Sequence, residues 1–152
     1  MGNTAVILLI MLILLPISFA LFRTWQVQKS PNQKIFLSGH VPNPKPDGAY
    51  KGSVGNIKTG WQGKKFDATS SSGINLISGK KQYPFKTYTE KGLADKNLDV
   101  FKIDYNVPQN PLWLRLILDE IVEVSPNHYL GKVHLKIIPG LPFSLGYFNL
   151  EK

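Results

Sequence analysis

Residues 117–138, ILDEIVEVSPNHYLGKVHLKII, decide the expected fold of this chain. Apolar and polar residues alternate on both sides of a short polar stretch at residues 125–128 (SPNH). Alternation with a period of two is typical of strands with one buried face, and a turn between two such runs predicts a β-hairpin. We therefore predict an antiparallel hairpin with its turn at residues 125–128.

The same pattern extends outward from this hairpin through residues 48–152. Alternating runs at residues 98–105 and 143–150 lie between frequent Gly, Ser, Asn and Pro positions, which predict turns. Residues 112–118 (LWLRLIL) fit either a short helix after Pro111 or a strand, and the apolar residues that follow favour a strand. Seven or eight short antiparallel strands predict a small barrel or a tightly folded sandwich, and closure into a barrel would remove exposed strand edges.

An apolar segment precedes this region. Residues 4–22 contain no charge, and all of them except Thr4, Pro16 and Ser18 are Ala, Val, Ile, Leu, Met or Phe. As a helix this segment extends about 28 Å, close to the thickness of a bilayer core. A cleaved signal peptide is the alternative, because residues 18–20 (SFA) match a small-x-small cleavage site. The N-terminus lacks the basic residues of a signal peptide, so we predict an uncleaved transmembrane anchor over residues 1–22.

Flanking charge gives a small preference for the orientation of this single-pass segment. Only the α-amino group precedes the apolar run, whereas Arg23, Lys29 and Lys34 follow it. The positive-inside rule then favours the cytoplasmic side of the membrane for residues 48–152. The bias is small, so the periplasmic or another extracytoplasmic side stays open.

Residues 23–47 are expected to form a proline-rich tether between the anchor and a barrel domain at residues 48–152. Within the tether, residues 40–47 (HVPNPKPD) carry proline at every second position from 42 to 46. Each proline lacks a backbone donor and pushes its predecessor toward extended geometry, which predicts a stiff spacer. The apolar residues 35–37 are a candidate for docking on the domain.

The net charge is +8, and most of it lies next to the apolar segment. Residues 23–102 hold fourteen Lys/Arg against five Asp/Glu, and residues 103–152 hold four against five. A basic surface near a membrane is attracted to anionic lipid, which makes membrane lipid an expected partner. Ordinary solubility charge is the alternative, and the anchor argues against a nucleic-acid partner.

The composition excludes several chemistries. There is no cysteine, which excludes disulfides, iron–sulfur clusters and thiolate zinc sites. The three histidines, His40, His128 and His134, have no second ligand at a fixed spacing, so we expect no metal site and no cofactor. No glycine-rich phosphate loop, G-x-S-x-G or zincin motif is present, so no catalytic residue is predicted. An enzyme acting on a lipid-like substrate is the least favoured function.

The most distinctive run is residues 59–67, TGWQGKKFD. Gly60 and Gly63 flank Trp61 and let the backbone bend around its large ring. A tryptophan near the first strand of a small barrel often closes one end and packs on a basic residue, and this is the favoured interpretation. Lining a ligand cavity is the alternative role of Trp61.

This run resembles the W-x-G-K-x-F core of uncharacterised bacterial barrel-like domains, including the GXWXG type, which share a Gly/Trp signature with lipocalins and other calycins. Residues 118–124 (LDEIVEV), 129–132 (YLGK) and 147–148 (YF) resemble their D-E-[IL]-x-E-V, Y-L-G-[KR] and Y-F signatures. The resemblance covers about residues 48–150 and not the anchor, and it departs at Thr59, where the GXWXG type has Gly. It implies an all-β protein with a small antiparallel calycin-like barrel, and no particular activity.

Period-two geometry singles out Glu120 as a candidate ligand-binding residue. Asp119 and Glu120 point to opposite faces of a strand, so they cannot form a catalytic dyad. Glu120 shares a face with Leu118 and Val122, and if that face is the inner one, its carboxylate needs a buried partner. Tyrosine hydroxyls from other strands are candidate partners. The expected ligand-binding residues are Trp61, Tyr105, Glu120, Tyr129 and Tyr147.

The expected function is non-enzymatic. A membrane-anchored barrel with a concave apolar site would bind an apolar or amphipathic small molecule or lipid near the bilayer. The alternative is an accessory structural subunit of a larger membrane protein complex. A cavity on the order of a few hundred Å³ with polar groups at its mouth would favour ligand binding. A filled barrel with an exposed apolar patch would favour assembly.

Overall fold

Eight antiparallel strands follow one another around a closed barrel, and two helices precede them. The structure, a computed structural model, describes the backbone of residues 2–152 and the side chains from Thr4 onward. Each strand pairs with the next one in sequence, and the last strand closes against the first. The predicted all-β barrel with one long apolar N-terminal helix is therefore confirmed. The strands are β1 (Gly48–Ser53), β2 (Trp61–Asp67), β3 (Ser72–Ile77), β4 (Lys80–Lys91), β5 (Asp99–Asp104), β6 (Ile117–Ser125), β7 (His128–Ile138) and β8 (Leu141–Glu151).

The first helix, α1 (Gly2–Lys29), is long and apolar enough to cross a membrane. Its most apolar 18-residue window has a mean hydropathy of 3.0, and none of that window is buried inside the structure. Helices of this length and composition span bilayers or serve as signal sequences. Pro16 lies within α1, which continues past Ala20 without a break.

The segment between the apolar run and the barrel is largely helical. Helix α1 continues to Lys29, and a second helix, α2, occupies Pro31–Ser38, with proline at its start where the missing N–H costs nothing. Phe36 of α2 is completely buried against the outer face of the barrel. The first part of the expected tether, up to Ser38, is therefore helical, and the stiff spacer predicted for residues 40–47 lies outside the helices and strands.

The hairpin predicted at residues 125–128 is confirmed. Strands β6 and β7 pair antiparallel around a turn that includes Asn127, which has a positive φ of 58°. The ambiguous stretch at residues 112–118 contains a short 3₁₀ turn, Leu114–Leu116, and β6 begins only at Ile117. The strand favoured for this stretch is thus present only from Ile117.

The barrel interior is packed mainly with aromatic side chains. An eight-stranded barrel has an interior just wide enough to be filled by side chains or to hold one small ligand. Gly131 shows how closely the rings fit, because a Cβ at this position would lie 2.1 Å from the Phe148 ring. The buried interior residues are Tyr50, Phe66, Phe85, Phe101, Ile103, Tyr105, Leu114, Ile121, Tyr129, Phe148 and Leu150.

A second buried layer lies outside the barrel. Helix α2 covers the outer face of the sheet, where Phe36 packs with Val100, Val122 and Leu130. Val122 is adjacent to Ile121, whose side chain points to the opposite face of the strand and belongs to the interior cluster. The face that carries Leu118, Glu120 and Val122 is therefore the outer face, although α1, α2 and the β4–β5 connection bury much of it.

Candidate ligand cavity at one end of the barrel

A cavity of about 480 Å³ opens at one end of the barrel. Its lining comes from the β1–β2 and β5–β6 connections and from the adjacent ends of several strands. The volume lies within the range of small-molecule sites, and most of the wall is apolar. The apolar wall includes Val54, Ile77, Tyr83, Leu114, Val133 and Phe148.

The long apolar helix leaves the barrel at this same end. Arg23 of α1 lines the cavity, and its Nε atom donates a hydrogen bond to the Leu145 carbonyl oxygen at 2.8 Å. One residue further, the Thr24 hydroxyl oxygen accepts a 2.9 Å bond from the Ser144 N–H. Residues 4–16, which precede this junction, are exposed. The cavity thus opens next to the point where the apolar part of α1 departs from the barrel.

A cluster of polar side chains forms the inner end of the cavity. The Lys64 Nζ atom lies 3.0 Å from Asp119 Oδ2 and 3.0 Å from Asn75 Oδ1, and it also contacts the Tyr105 hydroxyl. The Trp61 indole N–H donates to the same Asn75 oxygen at 3.1 Å. Lys64 and Asp119 are almost completely buried, so each charge depends on the other for compensation.

The surroundings of Lys64 favour its charged form. Burial by itself lowers the pKa of Lys64. The Asp119 carboxylate and the Tyr105 hydroxyl raise it by more, so the pKa lies above its ordinary value. Four aromatic rings also surround the ammonium group, with the Tyr105 centroid at 5.0 Å and the Trp61 centroid at 5.4 Å. Burial, together with the Asp119 charge, raises the pKa of Tyr105 to about 12. Lys64 therefore carries its positive charge at neutral pH.

Trp61 combines the two roles that its sequence context allows. It is partly buried, lines the cavity, and packs edge-on against Phe148 with ring centroids 5.4 Å apart. Gly52 on the facing strand leaves room for the indole ring, because a Cβ there would lie 2.4 Å from it. Trp61 thus closes part of this end of the barrel and also forms the wall of the cavity behind it.

The structure separates the five residues predicted to bind a ligand. Trp61 and Tyr105 meet in the cavity, and Tyr147 lines its edge while its hydroxyl donates to Gln33 of α2 outside the barrel. Tyr129 belongs to the interior cluster toward the opposite end, where its hydroxyl lies 3.3 Å from that of Tyr50. It lines a different cavity, of about 690 Å³, beneath residues 40–47.

Glu120 is fully buried, but it lies outside the barrel. Its Oε1 atom accepts the Leu93 N–H at 2.7 Å, and its Oε2 atom lies 3.0 Å from His134 Nε2. His134 Nδ1 in turn lies 3.3 Å from the Ser144 hydroxyl. A carboxylate, a histidine and a serine in this order can activate the serine as a nucleophile. All three side chains are completely buried beneath the helices, so this arrangement gives a substrate no access to the serine.

Sequence reasoning missed the three polar residues Lys64, Asn75 and Asp119 at the inner end of the cavity. For two of them a signal was present. Lys64 shares a strand face with Phe66, and Asp119 shares one with Ile121, so each charge lies in line with a residue suited to the core. The partner of Asp119 could not be read from this pattern, because Lys64 lies on a strand distant in sequence.

Fold and cavity together define a class of protein: a small up-and-down barrel with eight strands and a cavity open at one end. Comparison of the chain with protein-family models, with curated proteins and with solved structures finds no match. The resemblance to calycin-like bacterial domains therefore stays a prediction.

Proposed function

We propose that this protein is a membrane-anchored, non-enzymatic barrel that binds an apolar or amphipathic molecule, such as a lipid, at the bilayer surface. One observation carries the proposal: the cavity mouth lies beside Arg23, where the apolar part of α1 leaves the barrel. A bilayer that holds α1 would lie close to this mouth. A hydrophobic molecule would then pass between membrane and cavity with little exposure to water.

The lining suggests how an amphipathic molecule would be oriented. Lys64 and Asp119 neutralise each other at the inner end, so this end offers no net charge to a ligand. Arg23 at the mouth has no such buried carboxylate partner among the ion pairs of the described residues. We expect an alkyl chain to lie along Val133 and Phe148, with the polar group of the ligand near Arg23.

Retention of the anchor is part of this proposal. Residues 21–29 continue α1 past the candidate cleavage site, and α1 packs along β8. Arg23 and Thr24 both bind the barrel backbone. Cleavage after Ala20 would place them in the first turn of the remaining helix, where helices fray, and would weaken these contacts. The intact mass of the native protein should therefore include residues 1–20, and a mature N-terminus at Leu21 would contradict retention.

The test is to fill the cavity without disturbing the rest of the barrel. Val133→Phe adds volume inside the cavity, whereas Ile137→Phe adds volume on the same strand at an exposed position outside the lining. Full-length protein would be extracted directly into lipid nanodiscs, and the retained molecules would be identified by native mass spectrometry. Nile red fluorescence gives a second, independent measure of the apolar site.

We expect wild type and Ile137→Phe to retain a defined ligand and to bind Nile red. Val133→Phe should lose most of both while keeping its strand signal in circular dichroism. Equal binding by the two variants would show that the cavity is not the site. A wild-type protein that retains only lipid in bulk proportions would argue against a ligand-binding function altogether.

The accessory-subunit function is favoured by a different feature, the exposed apolar side chains around the cavity mouth, such as Leu112 and Trp113. Such residues contact either lipid or another protein. A protein that crosslinks in stoichiometric amount to a Leu112→Cys variant in native membranes would support this alternative.

A further inference from the structure

The end of the barrel that surrounds the cavity mouth exposes several large apolar side chains. Ile57 is 68% exposed, Leu112 is 76% exposed and Trp113 is 62% exposed. Ile57 lies on the β1–β2 connection, and the other two lie on the β5–β6 connection. Trp113 lines the cavity, and the connections that carry Ile57 and Leu112 also contribute to its wall, so we refer to these three residues as the rim of the mouth. Clustered exposed apolar residues mark contact surfaces for lipid or protein.

Basic residues stand beside this apolar rim. Lys58 follows Ile57, and Lys80 and Lys81 follow the β3–β4 turn, all with exposed side chains. This turn is held against the β1–β2 connection, because the Ser78 N–H donates to the Gly60 carbonyl oxygen at 2.8 Å. The three lysines therefore lie at the same end of the barrel as the apolar rim.

Carboxylates are concentrated at the opposite end. Asp47 and Glu123 line the other cavity, and Asp67 and Glu151 lie at the strand ends on that side. At the mouth end, Asp104 is already engaged by Lys86 and Lys136. The barrel thus has a basic, apolar end and an end that carries most of the exposed acidic groups.

The geometry points to a second membrane contact: the rim of Ile57, Leu112 and Trp113, with Lys58, Lys80 and Lys81, docks onto an anionic lipid bilayer. Helix α1 leaves the barrel at this end, so the bilayer that holds α1 lies against the rim. Apolar tips that enter the interface and lysines that meet anionic headgroups are the two features of membrane-surface binding. This inference rests on the membrane anchorage in the proposed function, and it goes beyond that function because docking requires no ligand in the cavity.

The absence of cysteine makes a direct test feasible with the full-length chain. Single variants Leu112→Cys at the rim and Thr69→Cys on the opposite β2–β3 turn would each carry one nitroxide label. Labelled protein would be placed in nanodiscs of phosphatidylcholine, with or without phosphatidylglycerol. Electron paramagnetic resonance then compares the access of oxygen, which is enriched in the bilayer, with that of a water-soluble nickel chelate.

We expect the label at position 112 to be reached by oxygen and protected from nickel in discs that contain phosphatidylglycerol, and the label at position 69 to show the reverse. Replacing Lys58, Lys80 and Lys81 with Gln should lower the ratio of docked to undocked protein about fivefold per lysine. The matched control replaces the distant, exposed Lys45, Lys65 and Lys96 with Gln and should leave that ratio unchanged.

Three results would overturn this inference. The first is equal access of nickel to positions 112 and 69. The second is protection at position 112 from both reagents, which would show a protein partner or a second copy covering the rim. The third is equal docking in discs with and without phosphatidylglycerol, which would remove the role of the lysines. Ligand retention, measured on the same samples, reports separately on the proposed function.

Discussion

The Nζ atom of Lys64 lies 3.0 Å from Oδ2 of Asp119, and this ion pair joins β2 to β6 across the interior of the barrel. Each side chain is at most 5% exposed. The pair sits where the packed aromatic part of the interior gives way to the cavity, so it forms the cavity's inner end.

Removal of one partner should be more harmful than removal of both. Asp119→Leu leaves the Lys64 ammonium buried without its counter-charge, which should cost about 3–5 kcal/mol of unfolding free energy. The double variant Lys64→Met/Asp119→Leu removes both charges and should recover much of that loss. Urea unfolding of the full-length variants in detergent measures both effects. If the loss in the double variant equals the sum of the losses in Asp119→Leu and in Lys64→Met alone, the two residues are not coupled.

The docking of α2 can be tested with two adjacent residues. Phe36 is completely buried between α2 and the barrel, whereas Ile35 is 46% exposed. Phe36→Ala should cost about 3–5 kcal/mol, the usual range for truncating a buried aromatic residue. Ile35→Ala should change the unfolding free energy by less than about 0.5 kcal/mol, as is usual for surface positions. Similar losses for the two variants would mean that Phe36 contributes no special docking contact.

Stability should fall steeply under alkaline conditions. A tyrosine in the unfolded chain ionises near pH 10, about as in a model peptide, whereas burial and Asp119 raise the pKa of Tyr105 to about 12. Between these pH values the unfolded state releases a proton that the folded state keeps, so the unfolding free energy decreases as pH rises. Lys64, whose pKa is also raised, acts in the same direction.

The variant that isolates this effect is Tyr105→Phe. Its unfolding free energy should decline less steeply than that of the wild type between about pH 10 and 12, by up to about 1.4 kcal/mol per pH unit. At neutral pH the variant is expected to be less stable than the wild type, because it lacks the hydroxyl that contacts Lys64. Parallel pH profiles for the two proteins would show that Tyr105 does not titrate in this window.

The barrel could be predicted from the sequence because its strands alternate in polarity and its turns are rich in Gly, Ser, Asn and Pro. Helix α2 could not be predicted, since an eight-residue helix owes its stability to packing rather than to local propensity. The prolines at 42, 44 and 46 dominate the sequence pattern of residues 23–47 and favour an extended chain. The contact that stabilises α2, made by Phe36, is with residues of the barrel that are distant in sequence.

The cavity shows the limit of period-two reasoning. Alternation correctly places Asp119 and Glu120 on opposite faces of β6, but it identifies the inner face only if the other face is polar. Here Ile121 on the inner face and Val122 on the outer face are both completely buried, because α2 covers the outside. Trp61 and Tyr105 do lie in the cavity, whereas Glu120, a candidate only if its face is the inner one, lies on the outer side of the sheet.

Asp119 and Glu120 thus provide a paired test of where the ligand site lies. Asp119→Asn leaves the Lys64 cation at the inner end of the cavity without its counter-charge, so the identity or amount of retained ligand should change. Glu120→Gln alters the bonds to His134 and Leu93 outside the barrel, so it should lower stability and loosen the β4–β5 connection. It should leave the retained ligand unchanged, as measured by native mass spectrometry. The opposite result, with ligand lost only in Glu120→Gln, would place the site beneath the helices instead of inside the barrel.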